Sequence, residues 1–164
     1  MSIKKILIWL PAIVMAMIIF GFSKQDGEES SGLSYKAADI ILTVCDKAGI
    51  IDCNENNRES MIEAVQFPIR KAAHMTEYAI LGWIAFAFLG SCGIQGKMHY
   101  IAVLGFNFCY ASTDEIHQLF IPGRSGQFKD VCIDTAGTAI GLLLLAILLK
   151  IWRRHCAKRA HTLQ

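Results

Sequence analysis

Apolar positions along the chain gather into four long runs separated by polar stretches. A helix crossing a bilayer needs about 20 largely apolar residues, and each run approaches that length. Residues 6–22 carry no charge, and a second run, about 69–89, holds His74 and Glu77 beyond its basic start. The third, about 98–119, ends on Asp114, Glu115 and His117, and the fourth, about 131–149, holds only Asp134. The pattern predicts an all-α fold, an integral membrane bundle of four transmembrane helices forming one domain over 1–164. A cleaved signal peptide competes for the first run, but Gly21-Phe22-Ser23-Lys24 is not an Ala-x-Ala-like cleavage site, so that helix is expected to stay.

Composition points the same way, with 54% hydrophobic against 18% charged residues and a mean hydropathy of +0.40. That is more apolar content than the core of one 164-residue soluble unit requires, so the lipid bilayer is the first expected partner. A net charge of only +2 gives no electrostatic case for nucleic acid.

Charge distribution orients the expected bundle. Residues 23–66 hold nine acidic and four basic groups, a net charge of −5. Lys4 and Lys5, Lys97, and the tail 150–164 with Lys150, Arg153, Arg154, Lys158 and Arg159 belong inside by the positive-inside rule. Both termini are then cytoplasmic and 23–66 is an outer loop, with 35–49 helical enough to lie on the membrane surface or cap the bundle. Arg70, Lys71, Arg124 and Lys129 fall on the outer side as exceptions that need a reason. Cys45 and Cys53 lie outside as well, where a disulfide is permitted, and no cysteine pair shows C-x-x-C spacing.

That topology brings the polar groups together. The second span begins with Arg70, Lys71, His74 and Glu77; the third ends with Asp114, Glu115, His117 and Gln118; the fourth is approached through Pro122-Gly123-Arg124 and carries Asp130 and Asp134. Helical spacing aligns Arg70, His74 and Glu77, aligns Asp114, His117 and Gln118, and aligns Asp130 and Asp134. All are expected to share one cavity at the outer leaflet, with Gly137 and Gly141 at a close helix contact beneath it. Pro122-Gly123 reads as a tight turn holding Arg124 over the cavity mouth.

Ionisable groups at membrane depth are expensive and mark a functional site by default. A static salt-bridge lock is the competing reading, since Arg70, Lys71, Arg124 and Lys129 nearly balance Glu77, Asp114, Glu115, Asp130 and Asp134. Other residues carry plainer readings: Trp83, Phe86 and Phe88 as lipid-facing or packing, Trp9 and Trp152 as interface anchors, Cys132 as a small packing residue. His99, His155 and His161 are expected to be solvated on the cytoplasmic side.

The blocks Arg70-Lys71-x-x-His74-x-x-Glu77-Tyr78, Tyr110-Ala-x-x-Asp114-Glu115-x-His117-Gln118-x-Phe120-x-Pro122-Gly123-Arg124 and Asp130-x-x-x-Asp134-x-x-Gly137 resemble the VanZ-like family. Phe22-Ser23-x-Gln25 is similar to that family's start, and the resemblance spans roughly residues 6–150. It implies a bacterial membrane protein, the family being named after a factor for low-level teicoplanin resistance. It implies no particular reaction.

Two main functions follow as expectations. In one, the protein is an enzyme acting on a lipid headgroup, lipid-linked glycan or peptidoglycan precursor. His74, Glu77, Asp114, Glu115 and His117 would supply proton transfer and orientation, and Arg70, Lys71, Gln118, Arg124, Asp130 and Asp134 would bind substrate. His-x-x-Glu and Asp-x-x-His spacing also makes a divalent metal conceivable. In the other, the protein binds an anionic envelope component without changing it. A small transporter ranks lower, because four spans lack a second half to rock against.

Overall fold

A computed structural model describes residues 3–25 and 27–162, with side chains from Leu10 to Arg159. The side chains of Lys4, Lys5, Trp9 and His161, and all of Asp26, lie outside the described residues. Five helices account for almost all of the chain: α1 (Ile3–Ser23), α2 (Gly27–Lys47), α3 (Arg58–Ser91), α4 (Gly96–Gln118) and α5 (Phe128–Thr162). The described residues contain no strand.

α3 is the central element, packing against each of the other four helices, while α4 also meets α5 and α1. Its 34 residues reach about 50 Å at 1.5 Å per residue, well beyond a hydrocarbon core of about 30 Å. Its first turns belong to a second packed unit. There Ile62 is buried against Ala38 and Leu42 of α2, with Met61, Val65 and Ile69 packed around them. Arg58 fastens the same unit, reaching the Asp39 carboxylate at 2.6 Å and donating to Thr43 Oγ1 at 2.6 Å. Much of 23–66 is therefore helical, with α2 and the first turns of α3 packed on one another at one end of the bundle. The helix that carries the second apolar run starts at Arg58 rather than near 69, because α2 offers α3 an apolar partner before Pro68 is reached. Likewise α5 continues as helix through most of 150–164.

Within the bundle, Met15, Ile19, Tyr78, Leu81, Ala111 and Val131 form one buried cluster, and Ala85, Val103 and Leu142 form another further along α3. Small residues set the α3–α5 spacing. A Cβ on Gly137 would stand 2.5 Å from the Met75 carbonyl oxygen, and one on Gly141 would stand 2.8 Å from Ala79 Cβ. Between the clusters, Asn107 Nδ2 donates to Thr138 Oγ1 (2.8 Å) and to the Tyr78 carbonyl (3.2 Å), stitching α4 to α5 and α3. Trp83 is not a pure packing residue, since its indole N–H donates to the Gly141 carbonyl at 2.6 Å.

Two helices, α3 and α5, are long and apolar enough to cross a membrane, and Leu10–Ser23, the part of α1 whose side chains are described, is a shorter apolar helix. Ile13, Met17 and Phe20 on α1, and Leu143, Ile147 and Leu148 on α5, are exposed. Apolar faces this extensive are too large for a water-facing monomer. They suit lipid.

His99 departs from expectation. It is buried rather than solvated, stacked on Phe86 with ring centroids 3.8 Å apart and with Nε2 2.8 Å from the Phe86 carbonyl oxygen. Gly90 opposite has no side chain to hold the ring off; a Cβ there would meet His99 Cε1 at 3.0 Å. Cys45 and Cys53 are free thiols.

Candidate functional site

At the end of the bundle where α1 and α4 finish and α5 begins, the side chains of α3, α4, α5 and the α4–α5 connection enclose a cavity of about 140 Å³. Its charged and polar walls are Arg70, Lys71 and His74 from α3, Glu115 and Gln118 from α4, Arg124, Ser125 and Gln127 from the connection, and Asp130 and Asp134 from α5. Eight residues singled out from the sequence thus share one space: Arg70, Lys71, His74, Glu115, Gln118, Arg124, Asp130 and Asp134.

The connection is built to lie close over this space. Gly123, after Pro122, has φ of +70°, a conformation L side chains rarely adopt. The turn also touches the start of α2, where the Gly27 N–H donates to the Pro122 carbonyl at 3.3 Å. Gly126 sits against the Glu115 carbonyl so closely that a Cβ would collide with it. The Gln127 N–H donates to Glu115 Oε2 at 2.8 Å, tying the connection to the end of α4.

Arg124 is held by backbone rather than by carboxylates. Its Nε donates to the Gln25 carbonyl (3.1 Å) and its terminal nitrogen to the Phe22 carbonyl (3.4 Å), both just past or at the end of α1. Burial and the neighbouring Arg70 charge hold the Arg124 guanidinium below its ordinary pKa, while Asp114, Glu115 and Asp130 act in the opposite direction. Arg70 itself has no carboxylate within salt-bridge distance among the described residues and lies over the Phe67 ring at 5.7 Å. Lys71, by contrast, is committed to Asp130 at 2.6 Å.

The remaining predicted residues stand apart from the cavity. Glu77 lines a neighbouring groove and approaches His74 at 3.7 Å from Oε2 to Nδ1. Asp114 is 3% exposed and one layer behind, 3.4 Å from Gln118 Nε2. His117 does not share the cavity: it stacks on Phe20 of α1 with centroids 4.4 Å apart. Helix geometry explains this, because at about 100° per residue the face shared by Glu115 and Gln118 points roughly 130° away from position 117. Lys129 is exposed and also stays out.

Sequence reading passed over several polar residues in the second layer. Ser23 Oγ, Tyr78 Oη and Asn107 Oδ1 are buried with no hydrogen-bond partner among the described residues, as are Asp114 Oδ1 and His117 Nε2 of the residues that were singled out. Tyr78 and Tyr110 lie within the family-like blocks, which was the available signal; Ser23 ends the first apolar run and gave a weaker one. Among the described residues, no three His, Cys, Asp or Glu side chains are grouped to hold a metal ion.

The fold and cavity define a class: an all-helical chain with two membrane-length apolar helices and a mixed-charge pocket at one end of the bundle. The chain matches the VanZ/LLP1 family over residues 8–150 and belongs to that family. No curated protein and no solved structure matches it.

Proposed function

We propose that α1, α3, α4 and α5 all cross the bacterial cytoplasmic membrane, with both termini cytoplasmic and the charged pocket facing outward. There the protein acts on the headgroup of an envelope lipid, a lipid-linked glycan or a peptidoglycan precursor, and through this the family's link to glycopeptide (teicoplanin) resistance would arise. The outward orientation rests on the −5 charge of residues 23–66 and the basic α5 end. It also gives the outer-side arginines their reason, since Arg70 and Arg124 then serve a ligand.

The observation that carries this reading is one 140 Å³ cavity holding two guanidinium groups that no carboxylate pairs among the described residues, an imidazole and two carboxylates with little exposure. Asp134 is 3% and Glu115 6% exposed. Guanidinium forks bind phosphate or carboxylate bidentately. His74 is the group able to give or take a proton at a bound headgroup, with Glu77 orienting its ring and Asp134 or Glu115 facing donors on the ligand. A lock would pair its charges, yet Arg70 is left without a carboxylate.

A non-catalytic binding module is the second reading. It is favoured by Lys71–Asp130 and Gln127–Glu115, which hold two cavity acids in internal contacts. Incubating the purified protein with an envelope lipid extract separates the two. New headgroup products with wild type and none with His74→Ala support the enzyme. Retention of an unchanged lipid supports the binding module, and neither product nor retention defeats both.

A further inference from the structure

The charged cavity is only one side of a wall. On the other side, a groove of about 270 Å³ runs between α1, α2 and α3, lined mainly by small and apolar positions such as Phe22, Leu33, Ala37, Ile69 and Ala73. Three residues line both spaces: Arg70, His74 and Arg124.

α2 extends that apolar surface outward. Leu33, Ile40, Ile41 and Val44 are exposed, at 47%, 63%, 45% and 61%. At about 100° per residue they fall with Ala37 within one face of roughly 100°. Leu33 and Ala37 belong to both this face and the groove. The face of α2 turned away from α3 thus offers an acyl chain an exposed aliphatic stripe that runs into the groove. The groove is therefore continuous with an exposed apolar face at one end and with the arginine wall at the other.

We infer that this protein binds a phosphate-bearing amphiphile, its phosphate between Arg70 and Arg124 and its hydrocarbon tail in the α1–α2–α3 groove. This rests on the headgroup reading above and specifies its ligand. Two like charges brought near one another without an intervening carboxylate are unfavourable until an anion joins them. A phosphate suits the place better than a carboxylate, since it has oxygens enough for the Arg70 fork and for the Arg124 N–H groups not given to Gln25 and Phe22. Beyond the wall the cavity turns acidic, with Glu115 and Asp134, so the rest of the headgroup presents hydroxyl or amine donors there. Entry is lateral, from the bilayer past α2.

The test uses the full chain in zwitterionic phosphatidylcholine nanodiscs and a long-chain alkyl phosphate with a photoreactive diazirine in its tail. Cross-links are expected on Leu33, Ala37 and Ala73, competed by unlabelled alkyl phosphate but not by the matching alkyl alcohol or by inorganic phosphate. Arg70→Gln is expected to lower groove cross-linking about tenfold, the scale of a lost charge-assisted hydrogen bond. Ala37→Phe, which fills the groove without touching a charge, should lower it as well. Cross-links spread evenly over the lipid-facing sides of α1 and α5, or equal competition by the alcohol, would overturn the inference. If inorganic phosphate protects the cavity while the groove stays unlabelled, the headgroup reading stands and the tail assignment falls. Phosphate-independent labelling in every arm would remove both.

Discussion

Lys71 Nζ lies 2.6 Å from Asp130 Oδ1, joining α3 to α5 at the rim of the charged cavity. Both side chains keep about a fifth of their exposure, 20% and 18%, so the pair is neither a surface contact nor a desolvated one. Exposed pairs contribute about 0–1 kcal/mol, whereas breaking a buried pair costs about 3–5 kcal/mol. Lys71→Ala and Asp130→Ala should each cost about 1–3 kcal/mol, and the double variant distinctly less than their sum. Thermal melting of all four proteins in one detergent checks this; strict additivity would mean the contact does not form.

Gly137 and Gly141 permit the backbone approach that brings His74 and Asp134 to one cavity. Leucine at either position must push α5 away from Met75 or Ala79. Overpacking of this kind costs about 1–3 kcal/mol or more. Folded yield and melting temperature should both fall, and an unchanged melting curve would contradict the packing.

The two histidines should part company. His74 faces the cavity, so His74→Ala should fold normally and lose ligand retention or turnover. His117 stacks on Phe20, so His117→Ala should lower stability by about 0.5–1.5 kcal/mol and leave binding intact. Measuring melting temperature and bound lipid on the same samples decides it. Loss of binding in His117→Ala at full stability would mean the cavity extends behind Gln118.

Much of the site is legible in the sequence because charges inside apolar runs are conspicuous, and because Arg70/His74 and Asp130/Asp134 are each four residues apart on one helix. The error over His117 has a definite source. Spacing from Asp114 places it on a shared face, but Asp114 is not the centre of the cavity-facing side; Glu115 and Gln118 are. α2 was only half visible, since its stripe from Leu33 to Val44 alternates with Lys36 and Asp39 and reads as a short surface helix. The early start of α3 depends on Ile62 finding Ala38 and Leu42, and the burial of His99 depends on Gly90 across a turn. Those are tertiary contacts that local pattern does not encode.

Orientation can be read directly. In a cysteine-free background, a single cysteine at Ser125 should react with a membrane-impermeant maleimide on intact cells, and one at Ala157 only after permeabilisation. The reverse pattern would move the cavity to the cytoplasm and take the envelope ligand with it.

The central claim is that the cavity holds an anionic envelope ligand rather than a closed set of internal ion pairs. Native mass spectrometry of protein released from nanodiscs made with envelope lipids tests it most directly. Wild type should carry a bound phosphate-containing lipid, and an Arg70→Gln/Arg124→Gln variant of unchanged oligomeric state and secondary structure should lose it. Wild type and variant carrying the same lipids in the same proportions would contradict the account.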